Sequence, residues 1–468
     1  STGWPGQPET EIGKQSTMGV IVSDRRTLVV GLGKTGLSCV RYLYAQGRDI
    51  AVADSREAPP GLDDLRTGWP DIPVYLGQFD QDLFAGFNEL IVSPGINIAE
   101  PAIARAAEQG ARIRGDIDLF AEAADAPVVA ITGSNGKTTV TTLLGEMARA
   151  AGRRVEVGGN IGIPALDLLG RGADLYVLEL SSFQLETTAE LNALAATVLN
   201  VSDDHLDRYP DKLTYFQAKQ RIFHGCQNAI VNLDDALSTP MARDNLRFIC
   251  FGFHRVNPQT FSTREDDQGL WLTFGFDNIL NASELKLMGR HNLSNVMAAL
   301  ALGQAAGLPM EAMQKAAREF NGLPHRCEFV RRVSGVDYIN DSKGTNVGAT
   351  VAAIESLALD GDGQIVLIAG GEAKGAEFST LVGPIRTGCR AVVLIGTDAD
   401  RIAESLGSDP PVYRAASLAE AVKRSEELAV EGDRVLFSPA CASFDMFRDY
   451  IDRGDQFRTL VQSLGEVL

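Results

Sequence analysis

The sequence predicts an α/β protein of three successive domains, each built on a parallel sheet covered by helices on both faces. Three observations carry this. Apolar strand-like runs alternate with helical runs along the chain from about Leu28 onward. Two glycine-rich turns, Gly31-x-Gly33-x-x-Gly36 and Gly133-Ser134-Asn135-Gly136-Lys137-Thr138-Thr139, each stand between a strand-like run and a helical one. The length, 468 residues, suits about three domains at roughly 100–200 residues each. The boundaries read as an appended tail over 1–17, then 18–115, 116–322 and 323–468.

The first domain opens with Thr27–Gly47, a β-run leading through the Gly31/Gly33/Gly36 turn into a helix. A second strand ends at Asp54, and the runs 90–95 and 111–116 complete a Rossmann-like, doubly wound unit. The second domain carries the Gly133–Thr139 turn, strands at 175–180 and 196–201, and a more β-rich stretch containing AIVNL, FICFGF and GLWLTF. It closes with helices at 292–306 and 311–320, giving a P-loop ATPase-type parallel sheet. Asn321-Gly322-Leu323-Pro324 reads as the linker. The third domain, again Rossmann-like, has strands at 336–341, 364–371, 391–396 and 434–440.

Composition narrows the class. The formal net charge of -18 argues against a nucleic-acid partner and is read as solubility. No apolar run reaches the ~18 residues of a membrane span. The six cysteines are scattered without a Cys-x-x-Cys pair, which suits a reducing, cytoplasmic compartment better than disulfides or zinc. Residues 1–17 are polar and precede Met18, unlike a signal peptide.

The Gly133–Thr139 turn is the most informative motif. It sets backbone N–H groups, the Lys137 ammonium and the Thr138 hydroxyl at a helix N-terminus, which makes a phosphate cradle with a magnesium ligand attached. It departs from the general phosphate loop in having Ile131 where a first glycine is expected. An ordinary strand-to-helix turn explains the two glycines but not the Gly-Lys-Thr-Thr run. The Gly31 turn, with Asp54 beyond it, satisfies a dinucleotide fingerprint. Its physics is less specific, because such glycines favour any diphosphate at a helix N-terminus.

Other candidates stand at strand ends. Glu179 follows the strand LYVL and can hold Mg²⁺ directly or through water. His205 lies in Asn200–Asp207, among carboxylates on the next strand-end loop. Lys219 lies in a helical run, where a solvated face is the default. Gly289-Arg290-His291-Asn292 opens a helix and is a candidate to contact a base or phosphate. In the third domain, Asp341–Asn346, Gly370–Gly375 with Lys374, and Ser438–Asp445 with Ser443 are strand-end loops.

In order, the phosphate loop, ELSSFQLE, NVSDDHLDRY, GRHN, PHR, NDSKGTN, GGEAKGAEF and SPACASFD resemble the Mur ligases, ATP-dependent amide-forming enzymes of peptidoglycan assembly. The resemblance runs from about Leu28 to the end. SSFQLE, SPACASFD and GLGKTGLS point to the branch that adds D-glutamate to UDP-N-acetylmuramoyl-L-alanine.

The resemblance implies roles residue by residue. Lys34 and Thr35 would meet the phosphates or base of the UDP-sugar, with Asp54, Ser55 and Arg56 near the uracil and Gly95 adding backbone. Asn160 would face the acyl arm. Gly133, Asn135, Gly136, Lys137, Thr138 and Thr139 would hold ATP phosphates. Asn292 and Asn295 would lie near the adenine, Arg326 at the γ-phosphate, Asp341 at the ribose and Lys343 at the phosphates. His205, Thr345, Lys374, Ser443 and Tyr450 would bind D-glutamate, Tyr450 standing where a Phe is expected. Two Mg²⁺ ions would be held, one by Thr138 and Glu179, the other by His205 and a carbamylated Lys219. Lys137, His205, Lys219 and Lys343 would be catalytic. No NAD is expected, and the chain would act as a monomer in the cytoplasm.

Two alternatives stay open. A folylpolyglutamate-type ligase shares the ligase core but lacks a uridine-nucleotide domain, whereas an α/β unit of about 100 residues precedes Gly133 here. A dinucleotide-dependent dehydrogenase rests on the first glycine fingerprint alone. A nucleotide switch lacks support, since no Asn-Lys-x-Asp motif occurs.

Overall fold

The structure, a computed structural model, describes residues 26–201, 209, 211–241, 245–287, 289–358, 363–373 and 375–465. Its strands assort into three sheets, one for each predicted domain.

The first sheet contains β1 (Thr27–Val30), β2 (Ile50–Asp54), β3 (Val74–Leu76), β4 (Glu89–Val92) and β5 (Arg112–Arg114). Their order is β3-β2-β1-β4-β5, all parallel. Side chains alternate between faces. Leu28, Val30, Ala51, Ala53, Leu90 and Val92 pack on Phe84, Phe87 and Ile103. Val29, Val52 and Ile91 face the opposite way, onto Leu37, Val40 and Leu43. The order reverses at β1, so the crevice between the β1 and β4 loops is where such a sheet binds ligands.

The second sheet contains β6 (Val128–Thr132), β7 (Val155–Gly159), β8 (Leu175–Glu179), β9 (Ala195–Val198), β10 (Asn228–Asn232), β11 (Arg247–Phe251), β12 (Thr260–Asp266), β13 (Gly269–Phe274) and β14 (Asp277–Asn281). The order is β14-β13-β12-β11-β10-β9-β6-β8-β7. Pairing is parallel from β7 across to β12 and antiparallel from β12 to β14. The antiparallel edge differs from the all-parallel expectation. Its connections are two-residue turns at Asp267–Gln268 and Gly275–Phe276, far too short for a parallel crossover. Helix Lys137–Ala150 buries Val140, Leu143, Leu144, Met147 and Ala148, spaced three and four apart, against the sheet and helix Arg290–Ala305.

The third sheet contains β15 (Glu328–Val333), β16 (Val336–Asn340), β17 (Ile365–Gly370), β18 (Cys389–Ile395), β19 (Val412–Arg414) and β20 (Arg434–Phe437). The order is β15-β16-β20-β17-β18-β19, parallel except for the β15 edge. Adjacent β16, β20 and β17 set the loops after them side by side, although these loops lie far apart in sequence.

The first two sheets share an apolar cluster that runs through helix Asp116–Ala123, joining Val29 and Leu37 to Phe120, Ala130 and Tyr176. Asp116, 3% exposed, opens that helix. Its Oδ2 accepts from Gln184 Nε2 at 3.0 Å, and Oδ1 has no hydrogen-bond partner among the described residues. Burial pushes its carboxyl up to about 6. The folded state therefore holds this proton more tightly than the unfolded chain. The associated stability is fully present below the unfolded value, near pH 4, and is lost as pH rises through about 6. Asp116→Asn keeps an acceptor toward Gln184 but does not titrate. Its unfolding free energy relative to wild type should rise by about 2 kcal/mol between pH 4 and pH 7. Denaturant unfolding at both pH values checks this; a constant difference would refute it.

Candidate functional site

The phosphate loop follows β6 in the middle of the second sheet. Gly136, at φ +82°, caps helix Lys137–Ala150, and a Cβ there would collide with the Asn295 side chain. Lys137 Nζ donates to Gly133 O at 2.8 Å and Ser134 O at 3.2 Å, which holds the ammonium over the loop. Asn200, two residues beyond β9, the strand paired with β6, grips the same loop from both sides. Its Oδ1 accepts from Asn135 N at 2.8 Å, and its Nδ2 donates to Asn135 O at 3.1 Å. The run Asn200–Asp207 by itself assigns Asn200 no role; its place just beyond β9, beside β6, is the signal that marks it.

Lys219 is 1% exposed, so its helix does not present it to solvent. Its Nζ donates to Gly133 O at 3.1 Å and lies 4.5 Å from the centre of the Tyr215 ring. Tyr215 OH in turn is 3.1 Å from Ser134 Oγ. The helical run at 212–220 thus forms a wall of the phosphate loop.

Glu179 ends β8 beside the loop and is 2% exposed. Oε1 accepts from Asn160 Nδ2 at 3.0 Å. Oε2 is buried without a hydrogen-bond partner among the described residues. An orphaned buried carboxylate oxygen next to a phosphate loop fits a hard divalent cation, which takes one or two carboxylates plus substrate phosphates. No group of three or more His, Cys, Asp or Glu suited to a metal occurs among the described residues. Gly159, at φ +102°, lets β7 press on the Glu179 backbone, and Asn160 N donates to Glu179 O at 2.8 Å.

A cleft between the central and third domains brings together Asn135, Gly136, Thr139, Asn292, Asn295, Arg326, Asp341 and Lys343. Arg326 Nη2 reaches Thr138 Oγ1 at 3.4 Å, across the domain boundary. Asn295 Nδ2 donates to Asn292 Oδ1 at 3.2 Å. Asp341 Oδ2 accepts from Ser438 Oγ at 2.7 Å and Oδ1 from Cys327 N at 3.1 Å. Burial pushes the Asp341 carboxyl up to about 6, against those hydrogen bonds. Lys343 Nζ sits 3.9 Å from the centre of the Tyr450 ring. His291, also lining the cleft, meets Ser356 of the third domain at 2.5 Å, and burial pushes its imidazole down to about 4.

A second cleft, of about 610 Å³, opens at the β1/β4 crevice. Lys34, Thr35, Ser55, Arg56, Gly95 and Asn160 line it, together with Gln184 from the central domain. Asp54 is fully buried beneath. Its carboxylate accepts from Leu32 N at 2.7 Å, Arg56 N at 2.9 Å, Arg56 Nε at 2.8 Å and Arg56 Nη2 at 2.7 Å. Burial raises its carboxyl, but the bonds from Arg56 and Leu32 outweigh that and hold it below its usual range. Asp54 therefore aims Arg56 and does not itself line the cleft.

The remaining candidates lie on the third sheet's loops. Ser443 is buried, and the Glu372–Ala442 bridge sets its loop against the segment that leads to Lys374. Thr345 follows Lys343, and Gly344 O accepts from Ala440 N at 2.8 Å. His205 and Lys374 lie outside the described residues.

Family models match three stretches of the chain. They are the Mur ligase MurD-like N-terminal domain over residues 25–115, the Mur ligase middle domain over 131–303, and the Mur ligase glutamate ligase domain over 325–441. A protein of Marinobacter nauticus named UDP-N-acetylmuramoylalanine–D-glutamate ligase is 75% identical over 447 residues, covering 96% of this chain and 100% of that one. The protein of the same name from Pseudomonas aeruginosa is 54% identical with the same coverage, 96% and 100%. Among solved structures, the UDP-N-acetylmuramate–alanine ligase of Thermotoga maritima is similar at TM-score 0.54 and 20% identity, covering 94% of this chain and 99% of that one. MurF of Acinetobacter baumannii is similar at TM-score 0.55 and 17% identity, covering 94% and 93%. These two structures speak to the three-domain fold alone.

Proposed function

This chain belongs to the Mur ligase family, and we propose that it joins D-glutamate to UDP-N-acetylmuramoyl-L-alanine at the expense of ATP, in peptidoglycan precursor synthesis. The full-length 75% identity to a relative named for that reaction carries the reading. The two clefts support it, one lined by phosphate-loop and third-domain residues, the other by the glycine-rich turn of the first domain.

A carboxylate is a poor electrophile, so the alanyl carboxylate is first phosphorylated by ATP, releasing ADP. The amine of D-glutamate then attacks the acyl phosphate, and phosphate leaves. The loop N–H groups, Lys137, Arg326 and Lys343 position and neutralise the phosphates in the first step. Asp341 takes the ribose, and Asn292 and Asn295 lie toward the adenine. Lys34, Thr35, Ser55, Arg56 and Gly95 hold the UDP moiety and Asn160 the acyl arm. His205, Thr345, Lys374, Ser443 and Tyr450 receive D-glutamate. Mg²⁺ would supply charge neutralisation at the transferred phosphoryl group, held in one position by Thr138 and Glu179 and in a second by His205 and carbamylated Lys219. NAD has no part, and the enzyme works as a cytoplasmic monomer. The third domain's cleft residues close on the phosphate loop through Arg326 and exclude water from the acyl phosphate. Among the described residues no helix is long and apolar enough to cross a membrane.

Phosphate release with ATP and Mg²⁺ should require both UDP-N-acetylmuramoyl-L-alanine and D-glutamate. Turnover of L-glutamate or L-lysine at the D-glutamate rate would sink the substrate assignment.

The first-domain cleft has its own test. Asp54→Ala frees Arg56 and leaves the buried Leu32 N–H without its acceptor. The KM for the UDP-sugar should rise about tenfold or more, while that for ATP stays within about twofold. Equal effects on both, or tight NAD binding, would favour the dehydrogenase reading.

A further inference from the structure

We infer that Arg453 is a positioning residue that locks the Asp341–Lys343 loop to the Cys441–Ser443 loop, so that nucleotide and amino acid bind to one rigid unit. The inference rests on the functional reading above, which gives those loops the ATP and D-glutamate contacts.

Arg453 lies one turn into helix Tyr450–Gln462 and is 1% exposed. Its Nε donates to Ser342 Oγ at 3.0 Å and its Nη2 to Ser342 O at 2.9 Å. Its Nη1 donates to Cys441 O at 3.2 Å. One guanidinium thus spans two loops that leave neighbouring strands, β16 and β20, about a hundred residues apart in sequence. Ser342 Oγ also donates to Tyr450 O at 2.8 Å, so the helix start grips the first loop at two points. Lys343, the next residue, rests on the Tyr450 ring. Two residues beyond Cys441 is Ser443.

The chemistry of the contact argues for geometry over stability. All three hydrogen bonds end on neutral oxygens, and burial lowers the guanidinium's affinity for its proton to about 10. Among the described residues no carboxylate hydrogen-bonds to it; Asp445 and Asp341 favour its charge only from a distance, and the Phe437 ring centre lies 5.9 Å away. A cation buried this way is a costly means of filling a core, and an apolar side chain would do so at less cost. What an apolar side chain lacks is a planar fork whose donors point in fixed, divergent directions. A lysine ammonium keeps the charge but cannot span both loops in that way.

The test measures KM separately for ATP, D-glutamate and the UDP-sugar in Arg453→Gln, Arg453→Lys and Ser342→Ala, together with ADP binding by calorimetry. In Arg453→Gln the ATP and D-glutamate constants should both rise about tenfold or more, while the UDP-sugar constant stays within about twofold. Arg453→Lys should fall between Arg453→Gln and wild type. Ser342→Ala should raise the same two constants, and combining it with Arg453→Gln should add little to the latter alone. The inference is overturned if only the melting temperature falls, if one of the two constants moves alone, if all three rise together, or if lysine restores wild-type behaviour. Should Arg453→Gln not fold, Ser342→Ala decides: unchanged ATP and D-glutamate constants refute the lock. A wild-type enzyme that does not use D-glutamate refutes the functional reading instead. ADP affinity in Arg453→Lys then still reports on the nucleotide half, and an unchanged value overturns it.

Discussion

Lys137→Ala is expected to lose about 100- to 1000-fold in turnover, the ~2.7–4 kcal/mol of one preorganised electrostatic donor. Its Nζ is held by Gly133 O and Ser134 O, so the ammonium is fixed over the loop before any phosphate arrives. Little ordering is then left to do when ATP binds, which is why one charge carries so much of the barrier. Removal should hardly affect folding, because Lys137 is only half-buried and Gly133 O keeps its hydrogen bond from Lys219 Nζ. Phosphate-release kinetics and thermal unfolding on the same preparation check both halves. Turnover near wild type would remove Lys137 from the mechanism.

Lys219→Ala should lose most activity for a different reason, and short carboxylic acids in the medium should restore part of it. The proposal is that the active enzyme carries a carbamate there. The neutral amine adds to CO₂, an N–C bond forms, a proton is released, and a cation becomes an anion. That change suits a site meant for Mg²⁺, where an ammonium would repel the metal. Lys219 is walled in by the Gly133 carbonyl and the Tyr215 ring, so truncation vacates an enclosed space that a small carboxylate can occupy. Lys219→Arg keeps a positive charge and fills the space, so added acids should not rescue it. Rescue is the deciding readout, because loss of activity alone would also follow from a cavity beside the loop. Normal activity in both variants would end the hypothesis.

Burial already separates Lys219 from the solvated helix lysine that its sequence context suggests. Helical spacing in TYFQAKQRIF does set position 219 on the face of Tyr215, Ala218 and Ile222, but a lysine there reads as solvated by residue type. The packing of helix Lys212–Gln220 against the phosphate loop shows what that face meets. Asp54 makes the converse point. The fingerprint marks it for a ribose or base edge, yet its oxygens are engaged by Leu32 and Arg56, and its effect on the cleft runs through Arg56.

By itself the sequence determined the α/β class, the three-domain order, the phosphate loop and the family, because these rest on local signals. Strand-like runs, glycine turns at helix starts and ordered motifs are properties of short stretches, legible one stretch at a time. Short or irregular strands escaped that reading, among them β3, β7, β15 and β19, because three to six residues at a sheet edge carry little pattern. The antiparallel edge of the central sheet escaped it as well. Adjacency, by contrast, comes from the packed molecule. Asn200 clamps Asn135, Arg326 reaches Thr138 across a domain boundary, and Arg453 bridges Ser342 and Cys441. Asn135 and Asn200 are 65 residues apart, Thr138 and Arg326 188, and Ser342 and Arg453 111; strand order in a sheet or the docking of one domain on another brings them together. The physical reason is that hydrogen-bond pairing between strands obeys the packing of the whole sheet, which no single segment encodes.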